Sequence, residues 1–187
     1  VVTVPVQFSG SGVGAATDVQ VPVAAGYSCI SVKDAAHTLA SAGSMPVGGT
    51  KYVPAALALT SGDANDDNFV DILDFGVYVS DWGGPRQPDA RSNYNRDGAV
   101  NNGDFTFISA AFMQQGAACG GAFSGGMPRD RVSVKDLRRA GLGELAVADL
   151  NRDGWVDTRD IALFMKRGLQ QQAGAPANQA SGGASPD

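Results

Sequence analysis

Residues 149–160 read DLNRDGWVDTRD, a twelve-residue segment whose spacing determines how most of this chain is expected to fold. Two earlier segments have the same spacing: DANDDNFVDILD at residues 63–74 and NYNRDGAVNNGD at residues 93–104. Apolar residues three or four positions apart follow each of them, which predicts a helix directly after each segment. The sequence therefore predicts three copies of one loop–helix unit, called loop one (63–74), loop two (93–104) and loop three (149–160).

Alternate positions of these loops have side chains that end in oxygen. Calcium takes about six to eight oxygen ligands, and a twelve-residue loop supplies them from positions 1, 3, 5, 7, 9 and 12, with position 7 using its backbone carbonyl. The predicted ligands are Asp63, Asn65, Asp67, Phe69, Asp71 and Asp74 in loop one; Asn93, Asn95, Asp97, Ala99, Asn101 and Asp104 in loop two; and Asp149, Asn151, Asp153, Trp155, Asp157 and Asp160 in loop three. The spacing thus predicts three Ca²⁺ sites.

Position 6 of such a loop turns sharply with a positive φ angle. Here it is Asn68, Gly98 and Gly154, residues that tolerate this conformation. Loop two has only two ligand carboxylates, Asp97 and Asp104, so we expect it to bind calcium most weakly. The alternative is that these turns only cap the helices, but repulsion among four carboxylates in an empty loop favours the ion.

A fourth copy of the repeat is degenerate. Residues 132–141 align with residues 156–165, but Gly125, Met127 and Arg129 stand where the other copies have oxygen ligands. We expect this copy to keep its helix and lose its ion. Pairing the first copy with the second, and the fourth with the third, predicts two helical lobes. The position-8 residues that would join each lobe are Val70 with Val100, and Val132 with Val156.

The first sixty residues have a different pattern, in which β-branched and alternating runs lie between glycine and serine turns. They predict short strands at residues 1–8, 18–23, 27–32, 51–53 and 55–59. Pro5 and Pro22 restrict two of these strands to sheet edges, because proline cannot donate a ladder hydrogen bond.

The predicted fold class is α+β, with a small β-sandwich-like sheet followed by calcium-loop and helix repeats. The expected divisions are a β-rich module (1–61), a lobe with two calcium loops (62–121), a lobe with one degenerate and one intact loop (122–169), and a low-complexity tail (170–187).

Composition excludes several functional classes. A net charge of −5 and a pI near 4.7 argue against nucleic-acid binding, and no apolar run is long enough to span a membrane. One histidine and two cysteines make a zinc site improbable, and the acids outside the loops form no evident catalytic pair, so we expect no enzyme. Cys29 and Cys119 either form one disulfide or remain separate thiols.

The loops, with the aspartate at position 12 included, resemble dockerin type I repeats over roughly residues 62–169. This resemblance implies an extracellular protein, calcium-dependent folding and docking to a cohesin-like partner. The family's recognition pairs at loop positions 10 and 11 are usually symmetric, whereas here no pair repeats. The four pairs are Ile72-Leu73, Asn102-Gly103, Val134-Lys135 and Thr158-Arg159.

These observations lead to three functional hypotheses. The first is a non-enzymatic, calcium-stabilised extracellular structural protein that assembles with copies of itself into a fibre or surface layer, with a terminal strand donated to a neighbour. The second is a dockerin-like adhesion module that docks a cohesin-like partner. The third is a carbohydrate-binding sandwich in residues 1–60, which has few aromatic side chains for the purpose, chiefly Tyr27 and Tyr52.

Overall fold

The chain divides into two compact units. A computed structural model describes residues 7–8, 14–15, 26–34, 37–45, 47–48, 51–52, 57–82, 90–119 and 126–173. One unit comprises Val1–Ile30 and Gly43–Ala56, and the other comprises Ser31–Ala42 and Leu57–Asp187. Residues 31–42, predicted in the β-rich module, therefore belong to the same unit as loops one, two and three, and both predicted lobes lie in that unit.

Backbone hydrogen bonds explain why residues 31–42 join the second unit. The Leu39 N–H donates to the Thr60 carbonyl at 2.8 Å, and the Ala40 N–H donates to Asn68 Oδ1 at 2.7 Å. These bonds connect residues far apart in sequence, and no local pattern predicts them.

The strands in the first half of the chain are short and antiparallel. β1 (Gln7–Phe8) pairs with β2 (Gly14–Ala15), and β5 (Val47–Gly48) pairs with β6 (Lys51–Tyr52). β3 (Cys29–Val32) pairs with β4 (Ser41–Ser44), which the sequence did not predict as a strand. Every sheet in the described residues has two strands, so the mixed α+β class holds while the sandwich stays a prediction. The predicted strand at residues 18–23 lies outside the described residues.

Four α-helices follow the four copies of the repeat, as predicted. They are α1 (Ile72–Asp81), α2 (Asn102–Ala111), α3 (Val134–Arg139) and α4 (Thr158–Ala173). The degenerate copy has kept its helix. α4 continues through Ala173, beyond the predicted start of the tail at residue 170, and residues 174–187 lie outside the described range. No helix in the described ranges is long and apolar enough to cross a membrane.

Loop residues start these helices by capping them. Asp71 is the N-cap of α1 and accepts the Leu73 N–H at 2.7 Å, while Asp74 accepts the Asp71 N–H at 2.7 Å. This reciprocal arrangement is a capping box, which satisfies N–H groups that the first helical turn leaves without partners. Asn101 and Asp104 form the same box on α2.

One aromatic cluster joins three of the helices. Phe164 of α4 lies 5.9 Å from Phe75, 5.3 Å from Tyr78, 5.2 Å from Trp82 and 5.4 Å from Phe105, measured between ring centroids. Phe75 and Tyr78 are on α1, Trp82 directly follows it as the C-cap residue, and Phe105 is on α2. Full burial of such a side chain contributes on the order of 1.5–3 kcal/mol. The helices after loops one, two and three therefore share one core, which is why they form a single unit.

The degenerate copy and loop three are joined by a two-stranded ribbon. β9 (Arg131–Ser133) pairs antiparallel with β10 (Trp155–Asp157), and Val132 lies opposite Val156. The predicted Val132–Val156 pairing is confirmed.

The corresponding prediction for loops one and two was wrong. β7 (Phe69–Val70) pairs with β8 (Gln114–Gln115), so Val70 faces Gln114 and not Val100. The chain leaving α2 returns to loop one, where the Met113 N–H donates to the Val70 carbonyl at 2.7 Å. Val100 instead packs into the shared core.

Both cysteines of the chain, Cys29 and Cys119, are disulfide-bonded. The alternative of two separate thiols is therefore wrong.

Candidate metal centre

The three loops have the same backbone conformation. Position 6 has the predicted positive φ angle in each copy: 71° at Asn68, 90° at Gly98 and 87° at Gly154. Position 4 is also left-handed, which the sequence did not predict because no glycine marks it: 69° at Asp66, 56° at Arg96 and 61° at Arg152. A non-glycine residue in this region costs on the order of 1 kcal/mol or more. The same strained position recurs three times, so it is a property of the loop.

The ligand positions fold onto the loop backbone through a repeated set of hydrogen bonds. In loop one, Asn65 Oδ1 accepts the Asp67 N–H and Asp67 Oδ1 accepts the Phe69 N–H, both at 3.0 Å. Asp74 closes the loop by accepting the N–H groups of Asn65 at 3.2 Å and Asp71 at 2.7 Å. The corresponding bonds recur in loops two and three. The structure thus brings the predicted ligands of each loop together in one local arrangement.

The acids at positions 1, 9 and 12 of loop one are buried, and one of their oxygens is left without a partner in the described residues. Asp63 and Asp74 are 0% exposed and Asp71 is 1% exposed. Asp63 Oδ2 accepts the Asn68 N–H at 2.9 Å and an ammonium hydrogen of Lys33 at 2.8 Å. Asp63 Oδ1 is buried and accepts no hydrogen bond within the described residues. An unsatisfied buried polar atom costs about 1–3 kcal/mol.

Burial makes the charged forms of these carboxylates unfavourable. Burial, together with the neighbouring charges of Asp71 and Asp63, raises the pKa of Asp74 to about 8. Burial also raises the pKa of Asp71 and of Asp63, with a smaller contribution from the Asp67 charge in both cases. Loop one therefore concentrates acidic groups whose ionised forms lack enough compensating charge.

Loop two is attached to loop one through two tyrosines. The Tyr94 hydroxyl, at position 2, donates to the Gly62 carbonyl at 3.0 Å, directly before loop one. The Tyr78 hydroxyl of α1 donates to the Asn101 carbonyl at 3.1 Å. Burial raises the pKa of both tyrosines, so both stay protonated as donors. Sequence reasoning assigned no role to either hydroxyl.

The carboxylates of loop two differ in exposure. Asp104 is fully buried, whereas Asp97 is exposed. The Ala99 N–H and the Asn101 and Asn95 side-chain amides donate to Asp97, and these hydrogen bonds hold its pKa below the usual range.

Loop three is more exposed and has an ion pair across its ligand positions. Arg159 Nη2 lies 2.9 Å from Asp153 Oδ2 and 2.6 Å from Asp157 Oδ2. Arg159 Nε donates to both oxygens of Asp157, and this contact lowers the pKa of Asp157. The Arg131 guanidinium covers the Trp155 ring at 3.9 Å from its centroid. The charge of Arg159 at position 11 was a readable signal that the sequence analysis did not use.

The degenerate copy contacts loop one through its backbone. The Arg129 N–H donates to Asp71 Oδ2 at 2.9 Å, and the Arg129 carbonyl accepts the Ile72 N–H at 3.0 Å. Met127 is 82% exposed, and Gly125 lies outside the described residues. The Arg129 backbone thus fixes a predicted ligand of loop one.

The residues of loop one fit a calcium ion by their chemistry. The described part of the chain contains no group of three or more His, Cys, Asp or Glu side chains arranged to hold a metal, and the predicted set also relies on asparagine and backbone oxygens. Every predicted donor is an oxygen, as calcium prefers, and a hydrogen-bonded carboxylate oxygen retains a second lone pair. The buried, unpartnered Asp63 Oδ1 is an oxygen of the kind a cation would satisfy.

Comparison of the chain with protein-family models, with curated proteins and with solved structures gave no match.

Proposed function

We propose that this chain is a non-enzymatic, calcium-stabilised extracellular structural protein whose loop–helix repeats are held by Ca²⁺. The observation that carries this proposal is Asp63, which is fully buried at position 1 of loop one and has one oxygen without a hydrogen-bond donor in the described residues. A divalent cation bound by Asp63, Asn65, Asp67, Asp71 and Asp74 and the Phe69 carbonyl would supply the missing positive charge.

Helix capping accounts for only part of loop one. It explains Asp71 at the N-cap and Asp74 three residues later, because both accept N–H groups at the start of α1. It gives no reason to bury Asp63, which lies eight residues before the N-cap. Lys33 gives Asp63 one positive charge, whereas three acids of loop one are buried, so their charge is only partly balanced; this favours calcium binding over the capping alternative.

Three observations support an extracellular, self-associating protein. Disulfides persist in oxidising compartments, and both cysteines of this chain are disulfide-bonded. Three Ca²⁺ ions add six positive charges to a net charge of −5. The resulting net charge of +1 is close to zero, which favours association. The pairs β1–β2 and β5–β6 are two-stranded within the described residues, and a strand donated from a neighbour's terminus would extend such a sheet.

Docking to a cohesin-like partner receives less support from the structure. The position-10 and position-11 residues of loop one, Ile72 and Leu73, are 0% and 5% exposed. A partner that recognises these positions could not contact the first pair, because both residues are buried in the core. In loop three, Arg159 at position 11 is already ion-paired with Asp153 and Asp157.

The test is thermal unfolding of the chelator-treated chain with and without millimolar calcium. Each site at about one hundred times its dissociation constant adds about 2.7 kcal/mol, so calcium should raise the melting temperature strongly. Asp63→Asn should lose part of that increase, whereas Asp130→Asn, which removes an exposed acid outside the predicted ligands, should retain it. Equal melting temperatures with and without calcium would refute the calcium role.

Self-assembly needs its own measurement, by light scattering and negative-stain microscopy in calcium and after EGTA. Polymers that dissolve on chelation are expected, and deletion of residues 1–8 should abolish them while leaving calcium binding intact. A calcium-loaded chain that remains monomeric would favour the adhesion-module hypothesis instead.

A further inference from the structure

Lys33 places a positive charge on loop one from outside the loop. Its ammonium lies 2.8 Å from Asp63 Oδ2 and 2.8 Å from Asp66 Oδ1, and it donates to the Asp66 carbonyl at 3.4 Å. The Lys33 side chain is 28% exposed and Asp63 is fully buried, so the first of these contacts is largely shielded from water. The ammonium thus bridges positions 1 and 4 of loop one. Position 1, Asp63, lies thirty residues after Lys33 in the sequence.

These contacts also determine which oxygen of Asp63 is left for a ligand. The Lys33 ammonium and the Asn68 N–H both donate to Oδ2, and Oδ1 remains without a donor in the described part of the chain. Lys33 therefore orients the carboxylate while partly neutralising it. The same charge repels a divalent cation bound to Oδ1, because like charges at close range repel each other even at the dielectric constant of water.

The three loops differ in their number of ligand carboxylates, and a protein cation pairs with the loops that have more of them. Loops one and three each have four, and Lys33 and Arg159 respectively pair with them. Loop two has two, and no ion pair involves them in the described ranges. A protein cation therefore accompanies each loop with excess negative charge.

We propose that Lys33 is the internal counter-ion of loop one: it keeps the loop folded when calcium is absent and lowers the loop's affinity when calcium binds. This inference rests on the proposed calcium-binding function and adds an affinity-setting residue to it. A merely structural lysine would stabilise the chain in both states. Lys33 instead has opposite effects on metal-free stability and on calcium affinity.

The test compares Lys33→Met with Lys166→Met, which removes an exposed lysine of α4 outside the predicted loops. In chelator, Lys33→Met should melt at a lower temperature than Lys166→Met. In a calorimetric calcium titration, Lys33→Met should tighten one site by about three- to tenfold. Terbium luminescence excited through Trp155, the position-7 residue of loop three, should titrate identically in both variants. Lys33→Arg should restore both wild-type values.

The outcomes separate this inference from the function on which it rests. If the wild-type chain binds calcium and Lys33→Met matches Lys166→Met in melting and affinity, the counter-ion role is wrong and calcium binding stands. If the wild-type chain takes up no calcium, the proposed function fails and the inference fails with it. If Lys33→Met unfolds in chelator, unfolding weakens its apparent affinity, so the comparison uses the rate at which the folded, calcium-loaded chain releases calcium into excess chelator. Slower release than from the wild-type chain supports the proposal, and release at the wild-type rate or faster contradicts it.

Discussion

Loops one and three have nearly the same ligand set but differ in burial at position 1 and in the charges near their carboxylates. Asp63 of loop one is fully buried, whereas its counterpart Asp149 is partly exposed. Positions 9 and 12 are buried in both loops, and position 5 is exposed in both. The loop hydrogen bonds match position by position, so the local sequence determines the loop conformation. The electrostatics differ, because burial raises carboxylate pKa values in loop one, whereas the guanidinium of Arg159, within loop three, lowers the pKa of Asp157.

Position 9 shows the difference most clearly. Asp71 in loop one accepts the backbone N–H groups of Leu73 and Arg129 in a buried setting. Its counterpart Asp157 accepts the Arg159 N–H and pairs with the exposed Arg159 side chain. Buried hydrogen bonds to charged groups contribute more than exposed ion pairs, which typically contribute about 0–1 kcal/mol. We therefore expect changes in loop one to have the larger effects.

The largest expected effect is the loss of the Asp71 side chain. Asp71→Ala removes the α1 N-cap and leaves the Arg129 N–H without its acceptor, so the free energy of unfolding should fall by about 2–3 kcal/mol. Asp157→Ala is the matched change in loop three and should cost about 1 kcal/mol. Urea unfolding in chelator measures both values. Equal losses would mean that the surroundings of position 9 do not distinguish the two loops.

The next difference between the two loops is how pH affects the stability of the metal-free chain. The folded pKa of Asp74, about 8, lies above its usual value of 3.8. Protonated Asp74 therefore stabilises the folded chain, and this contribution is fully present below the usual pKa. This contribution is lost as the pH rises towards 8, and the metal-free chain should therefore be less stable at pH 8 than at pH 5.

Calcium requires the ionised carboxylate, so binding at pH 7 should release up to about one proton from Asp74. Calorimetry in two buffers of different ionisation enthalpy measures this release. Asp74→Asn should abolish it. Asp157→Asn should not, because the lowered pKa of Asp157 keeps that group ionised before calcium binds. Unchanged proton release in Asp74→Asn would show that another group supplies the proton.

A smaller effect is expected from removing the ion pair across loop three. Arg159→Met frees Asp153 and Asp157 and should tighten calcium binding there about two- to fivefold, in keeping with the modest contribution of an exposed pair. Arg167→Met, at an exposed position of α4, is the control for the lost charge. Terbium luminescence excited through Trp155 reports the loop-three affinity. Identical affinities in the two variants would rule out competition by Arg159.

The smallest expected effect comes from the cation that covers loop three. Arg131→Met removes the guanidinium from the Trp155 ring and should lower the free energy of unfolding by about 0.5–1 kcal/mol. Thermal unfolding in chelator measures the loss, with Arg138→Met on α3 as the comparison. A loss above about 2 kcal/mol would show that the ribbon β9–β10 depends on this contact more than the geometry indicates.

Local features of the fold were predictable from the sequence, whereas long-range contacts were not. The helices after each loop and the positive φ angles of Asn68, Gly98 and Gly154 follow from spacing within twelve residues. The Val132–Val156 pairing was also predictable, because both residues occupy the same loop position.

The position of Lys33 on loop one depends on how residues 31–42 pack, which no local pattern encodes. The pairing of Val70 with Gln114 similarly depends on the path of the chain after α2. The ligand positions and the Arg159 charge within loop three were therefore visible in the sequence, and the contact of Lys33 with loop one was not.

The central claim is that these oxygen-rich loops bind calcium, and the most direct test is a count of bound ions. Equilibrium dialysis of the chelator-treated chain against millimolar calcium, followed by elemental analysis, should give about three Ca²⁺ per chain and about two for the double variant Asp63→Ala and Asp67→Ala, which removes the ligand oxygens of positions 1 and 5 of loop one. Wild-type protein that retains no calcium, or a double variant that retains the wild-type number of ions, would contradict the claim.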